Sequence, residues 1–150
     1  MKHCFMFLLG IFLSATLCGQ NYSSEVVFLQ QQGNTLTVRA LGISEKKKEA
    51  ANMALKSAFY TLFFTGVDGV NKGNPMVSTA KPDYDRRFFD ENRYSVFVKD
   101  YTVMEGPEKQ GKQYRCTVEM TILFDALQKD LNRNKVQTNL GMAGALPTAR

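Results

Sequence analysis

Six residues spaced two apart, Tyr114, Cys116, Val118, Met120, Ile122 and Phe124, line up one apolar face along a run whose intervening side chains are mostly polar. Only an extended chain sends every second side chain to the same side, so Gln113 to Phe124 is predicted to be a strand with one face in a core and the other in water. Such a strand needs neighbours. Tyr94 to Met104 is the expected antiparallel partner, reached through a polar turn containing Gly106, Pro107 and Gly111. Val26 to Gln31 and Thr35 to Leu41, separated by Gln32, Gly33 and Asn34, predict a second hairpin with Leu36, Val38 and Ala40 on its inner face.

Between the hairpins the period changes. Gly42 is expected to break the strand and Ser44 to cap a helix from Glu45 to Thr65, with Gly66 as its stop. On that helix Ala51, Ala54, Leu55, Ala58, Phe59, Leu62 and Phe63 share a broad face suited to covering a sheet. Tyr60 and Phe64 carry apolar character beyond that face, which implies cover by the following segment or a partner surface. Val67 to Lys81 is rich in turn formers and reads as a long loop. Pro82, Asp83 and Asp85 then open a short helix on which Tyr84 and Phe88, four residues apart, share a face able to cover Phe63 and Phe64. The alternative is a recognition loop presenting Phe88 or Phe89 to another protein. After the last strand, Asp125 is expected to cap a helix from about Ala126, with Gln128 in a capping-box position and Leu127 and Leu131 docking it. The resulting fold class is α+β: an antiparallel sheet from two hairpins, a main helix and shorter helices on one face. A single domain is expected over residues 21–136, with a flexible tail over 137–150.

The first twenty residues read as an export signal. Lys2 gives the positive start, Phe5 to Leu13 a short apolar run, and Ser14, Ala15, Cys18, Gly19 and Gln20 a cleavage region. The run is too short and too diluted for a spanning helix, which takes roughly 20 apolar residues. Cutting after Gln20 makes Asn21 the new terminus; cuts after Cys18 or Gly19 are alternatives. A competing reading makes Cys18 a lipidated first residue, although Ala15, Thr16 and Leu17 depart from the usual approach to such a cysteine. Membrane contact is expected only in that case.

Processing also changes the chemistry. It removes His3, the only histidine, and leaves Cys116 as the only cysteine unless Cys18 is retained. No intrachain disulfide forms from one cysteine, and Cys116, on the apolar face, is expected to be a buried structural thiol. Serine or cysteine catalysis with a histidine base is excluded within one processed subunit, as are histidine-containing zinc sites. No catalytic, cofactor or metal residues are assigned. Asp83, Asp85, Asp90 and Glu91 fail the calcium-loop pattern, with Arg87 and Phe88 where a fifth-position ligand and a turn glycine belong. Loss of Lys2 leaves 18 basic and 14 acidic side chains, a formal net charge of +4, which does not specify nucleic acid. The one local concentration is Lys46, Lys47 and Lys48, a possible contact for an anionic surface ligand or an acidic partner.

The segment TVRALGISEKKKEAANMALKSA resembles the strand–glycine–alanine-rich-helix unit of bacterial envelope lipoproteins and of the N-terminal domain of flagellar assembly protein T, and YRCTVEMTILFDALQKDL resembles their closing strand–helix unit. The resemblance implies an exported, noncatalytic envelope interaction or assembly-accessory domain, periplasmic or outer-envelope associated, with envelope proteins as partners. It also makes the glycosylation-type triplet Asn21, Tyr22 and Ser23 incidental, a mobile new terminus. The alternative from the residues is a small-ligand or anion-binding periplasmic module.

Overall fold

The structure is a computed structural model that describes residues 22–140. Four strands, β1 (Val26–Gln32), β2 (Thr35–Ser44), β3 (Val98–Gln110) and β4 (Gln113–Leu123), form one sheet in the order β1-β2-β4-β3, every pairing antiparallel. The helices are α1 (Ala50–Phe64), α2 (Pro82–Asp85) and α3 (Phe124–Arg133). This is the α+β architecture expected from the alternation in β2 and β4. Leu36, Val38 and Ala40 on β2 and Cys116, Val118, Met120 and Ile122 on β4 are all buried against the helices. The opposite face is polar, with Arg39 paired to Glu119 at 3.2 Å and Thr37 facing Thr121. Among the described residues no helix is long and apolar enough to cross a membrane.

Gly42 does not break the chain. β2 continues through it to Ser44, pairing Gly42 with Cys116 and Ser44 with Tyr114. The glycine is needed because α1 lies directly over it: a Cβ there would sit 2.1 Å from the Ala50 carbonyl oxygen and 2.3 Å from the Ala54 nitrogen. Because β2 is longer, the helix starts later than expected. Ser44 caps no helix; its hydroxyl accepts the Lys46 N–H, and Lys47–Glu49 form a 3-10 turn before α1 begins at Ala50. The three lysines thus precede the α-helix rather than occupy its first turn, where the dipole disfavours positive charge. Gly66 does end α1, at φ +97°, donating its N–H to Thr61.

The loop after α1 is part of the core rather than a surface excursion. Val67, Val70, Met76 and Val77 are buried, and the N–H groups of Met76 and Val77 satisfy the terminal carbonyls of Leu62 and Phe63. The expected tail is tied here too: Val77 bridges Thr138, and Asn139 donates to the carbonyls of Met76 and Pro75. Residues 137–139 of the expected tail thus pair with the loop, and residues 141–150 lie outside the described residues.

Two other boundaries shift. Gly106 and Pro107 are absorbed as an irregularity within β3, between Glu105 and Glu108, and the reversal occurs at Gly111 and Lys112. Proline has no N–H for the ladder, and a bulge removes it from pairing without ending the strand. Tyr94, expected in a strand, lies in a 3-10 segment, Arg93–Phe97, leading into β3. Asp125 is not the cap of α3, which starts at Phe124; the Asn34 carbonyl from the β1–β2 turn takes the N–H groups of Phe124 and Asp125 instead. Leu127 and Leu131 dock the helix as expected.

Candidate functional site

The segment after the loop builds one wall of the site. α2 runs directly into a π turn, Arg86–Asp90, closed by the Glu91 N–H on the Arg86 carbonyl. The wider turn lets two consecutive aromatics face inward. Phe88 stacks on Tyr84 and lies 4.8 Å from Phe63, and Phe89 lies 5.8 Å from Phe63 and 6.3 Å from Phe64, between ring centroids. Both are buried. The reading of Phe88 and Phe89 as exposed, partner-facing aromatics is thereby corrected: this segment is the expected cover over α1, with Phe88 wholly buried and Phe89 showing only an edge to the recess described below.

The same segment is anchored at depth by Asp130 of α3. Its Oδ2 accepts the Tyr84 hydroxyl at 2.8 Å and its Oδ1 accepts Arg93 at 2.5 Å, while the carboxylate is almost wholly out of solvent. Burial and this contact push the Tyr84 phenol far above its ordinary value.

The other wall comes from the beginning of the described chain. Ser57 and Thr61, one turn apart on α1, are buried polar residues on an otherwise apolar face. The Ser57 hydroxyl accepts the Ser23 N–H at 3.1 Å and the Thr61 hydroxyl donates to the Ser23 carbonyl at 3.3 Å. That clamp lays Tyr22 flat on Tyr60, with ring centroids 4.5 Å apart and planes 17° from parallel. Tyr22 and Ser23 are therefore held, in contrast to the mobile terminus expected from the sequence; Asn21 lies outside the described residues.

Between these walls lies an open recess of about 540 Å³. Tyr22, Tyr60, Phe64 and Phe89 supply its aromatic surface and Pro82 part of its rim. Two carboxylates also line it. Asp85 Oδ2 accepts the Lys81 N–H at 3.1 Å, whereas Asp85 Oδ1 is buried with no hydrogen-bond partner. Burial raises the Asp85 carboxyl above its usual range. Burial, then the nearby Asp90 charge, pushes the Tyr22 phenol up to about 12. Arg86, the cation on the rim, is engaged by Glu91 at 2.6 Å.

A second recess, about 610 Å³, is more polar and is lined by Arg87, Arg93, Arg133 and Asn92 around Asp130. Arg93 is taken by Asp130, and Arg133 sits in the last turn of α3, where the helix dipole favours a cation. Lys46, Lys47 and Lys48 line neither recess; they are exposed, with Lys46 3.6 Å from Glu49. Cys116 is buried and its thiol pushed up by burial, which suppresses thiolate. Among the described residues no group of three His, Cys, Asp or Glu side chains is placed to hold a metal.

Sequence reasoning named Tyr60 and Phe64 as surplus apolar surface but missed Tyr22 and Asp85 as site residues. The available signal was the pair Ser57 and Thr61, hydroxyls one turn apart on the apolar face, which required a polar partner. Comparison with protein-family models, curated proteins and solved structures gives no match.

Proposed function

We propose that this chain is an exported, noncatalytic interaction or assembly-accessory protein of the bacterial cell envelope, periplasmic or associated with the outer envelope. The observation that carries the reading is the aromatic recess itself. It is open and preformed, its walls are fixed by the Ser23 clamp and by the Tyr84–Asp130 bond, and its lining has recognition groups but no nucleophile paired with a base. The export-type leader and the resemblance to envelope lipoproteins and the flagellar assembly domain support the compartment.

Proximity labelling in the native cell, with mass measurement of the processed N-terminus, tests this reading. Specific envelope proteins and a chain starting at Asn21 are expected; labelling confined to cytoplasmic proteins refutes it. The second reading, an anion-binding module, is favoured by the arginines of the polar recess more than by the lysines. It predicts saturable phosphate or polyanion binding that Arg87→Gln weakens. Replacing Lys46, Lys47 and Lys48 by glutamine without effect on such binding removes them as the anion contact.

A further inference from the structure

We infer that the free edge of β3 is a self-association surface, on which a second copy of this chain lays its own β3 antiparallel about a two-fold axis at Thr102. β3 pairs with β4 on one side only, so its other edge presents backbone N–H and C=O groups to solvent. Its side chains are open as well. Tyr101 and Val103 lie opposite Met120 and Val118 of β4, on the sheet face that carries the helices. That cover stops short of β3: Met120 and Val118 are 1 % and 0 % exposed, whereas Tyr101 and Val103 are 47 % and 41 % exposed. Met104, next along the strand, is exposed too.

The residues along the edge identify the occupant, because they complement themselves. Centring the axis on Thr102 sets Lys99 opposite Glu105 of the second copy and Tyr101 opposite Val103, each pair made twice, with the two Thr102 residues facing each other. Opposite charges, an aromatic with a β-branched residue, and paired threonines are the cross-strand combinations that stabilise a sheet. Lys99 and Glu105 are exposed, and neither is in an ion pair among the described residues. A one-residue slip would put core-side and solvent-side residues on the same face. Two-residue slips lose the charge pairs: centring on Tyr101 sets Lys99 opposite Val103, and centring on Val103 sets it opposite Pro107, which has no N–H to give. Irregularities at Lys99, Met104 and Gly106–Pro107 keep the contact short, but Asp100 to Val103 stays in unbroken register on β4. Joining the two four-stranded sheets at β3 leaves both helix layers on one side and closes Tyr101 and Val103 of both copies between them.

The test is sedimentation velocity and native mass spectrometry of the exported chain over about 1–1,000 µM. A concentration-dependent dimer is expected; a monomer throughout overturns the inference and leaves the edge to a strand from another protein. Val103→Lys, at a position open to solvent in the single chain, is expected to abolish the dimer with the circular dichroism retained. A dimer that survives this substitution lies elsewhere on the molecule and also overturns the inference. Lys99→Glu and Glu105→Lys each set like charges opposite each other twice, and each is expected to weaken self-association about tenfold. Mixed in equal amounts, the two variants regain both opposite-charge pairs in the heterodimer, which is expected to match the affinity of the unsubstituted chain. A mixture that associates no better than either variant alone refutes the pairing about Thr102. In a dimer of one isotopically labelled and one unlabelled copy, filtered NMR is expected to show the Tyr101 ring of one copy against the Val103 methyl groups of the other, and absence of that contact refutes the register.

Discussion

Asp130→Leu tests whether the covering segment is held by a buried polar bond or by aromatic packing alone. Leucine occupies the carboxylate's space and keeps water out, so the Tyr84 hydroxyl, in a residue only 2 % exposed, loses its acceptor without replacement. An unsatisfied buried hydroxyl costs about 1–3 kcal/mol. Loss of the Arg93 contact adds less, about 0.5 kcal/mol, because that guanidinium is 42 % exposed and rehydrates. A total near 2–3 kcal/mol corresponds to a fall in Tm of about 8–12 °C for a domain of this size, at about 4 °C per kcal/mol. Tyr84→Phe removes the hydroxyl and leaves Asp130 with Arg93, and is expected to cost about 1 kcal/mol. The decisive variant is the double substitution Tyr84→Phe with Asp130→Leu, in which nothing polar is left unpaired at that point. It should be more stable than Asp130→Leu alone, read from urea midpoints by circular dichroism. A double variant as destabilised as the sum of the two singles refutes the bond as the coupling between α3 and the cover.

Gly42→Ala forces a methyl group into the backbone of α1 at Ala50 and Ala54, and neither contact yields as a flexible side chain would. A loss of roughly 3 kcal/mol is expected; an unchanged thermal melt contradicts the close approach. Alkaline pH should destabilise the fold. Tyr22, Tyr84, Tyr94 and Cys116 all have raised values, so the folded state holds these protons more tightly. Their contribution is complete below the unfolded values, about 8.5 for the thiol and about 10 for the phenols, and is lost as pH rises through the folded ones, with Tyr22 at about 12. Urea midpoints that stay flat from neutral pH to strongly alkaline pH refute this, and a thiol reagent that modifies native Cys116 as fast as the unfolded chain contradicts its burial.

The parts of the fold legible in the sequence are those set by local period. Alternation in β4 gave its core face residue by residue, and the alanine-rich face of α1 and the Tyr84/Phe88 spacing gave the cover. What escaped depends on distant partners. Gly42 has the composition of a break, yet its role is set by a helix that begins eight residues later, and only the register of β2 on β4 distinguishes the two. Phe88 and Phe89 diverge by about 100° on an α-helix, so their joint burial required the π turn, for which no spacing rule exists. Asp130 lies three residues after Leu127 and next to Leu131, on the docking side of α3, and a carboxylate there was a readable sign of a buried partner. Its partners, Tyr84 and Arg93, are 46 and 37 residues away, beyond any local pattern.

The clamp on Ser23 gives the processing site a structural consequence. Tyr22 is a wall of the recess, and a cut after Gln20 leaves Asn21 alone ahead of it. Acylation of Cys18 would instead leave four chain links between the lipid and Tyr22, which span at most about 14 Å when fully extended. A lipidated chain would therefore hold the recess at the membrane surface, where a partner must approach beside the headgroups, whereas a released chain presents it freely. In the lipidated case, a paramagnetic lipid headgroup in vesicles should broaden the Tyr22 and Tyr60 ring resonances of the acylated protein ahead of those of Tyr101, on β3 at the edge of the sheet opposite β1. Equal broadening at all three rings would show that the clamp does not transmit the position of the anchor to the recess.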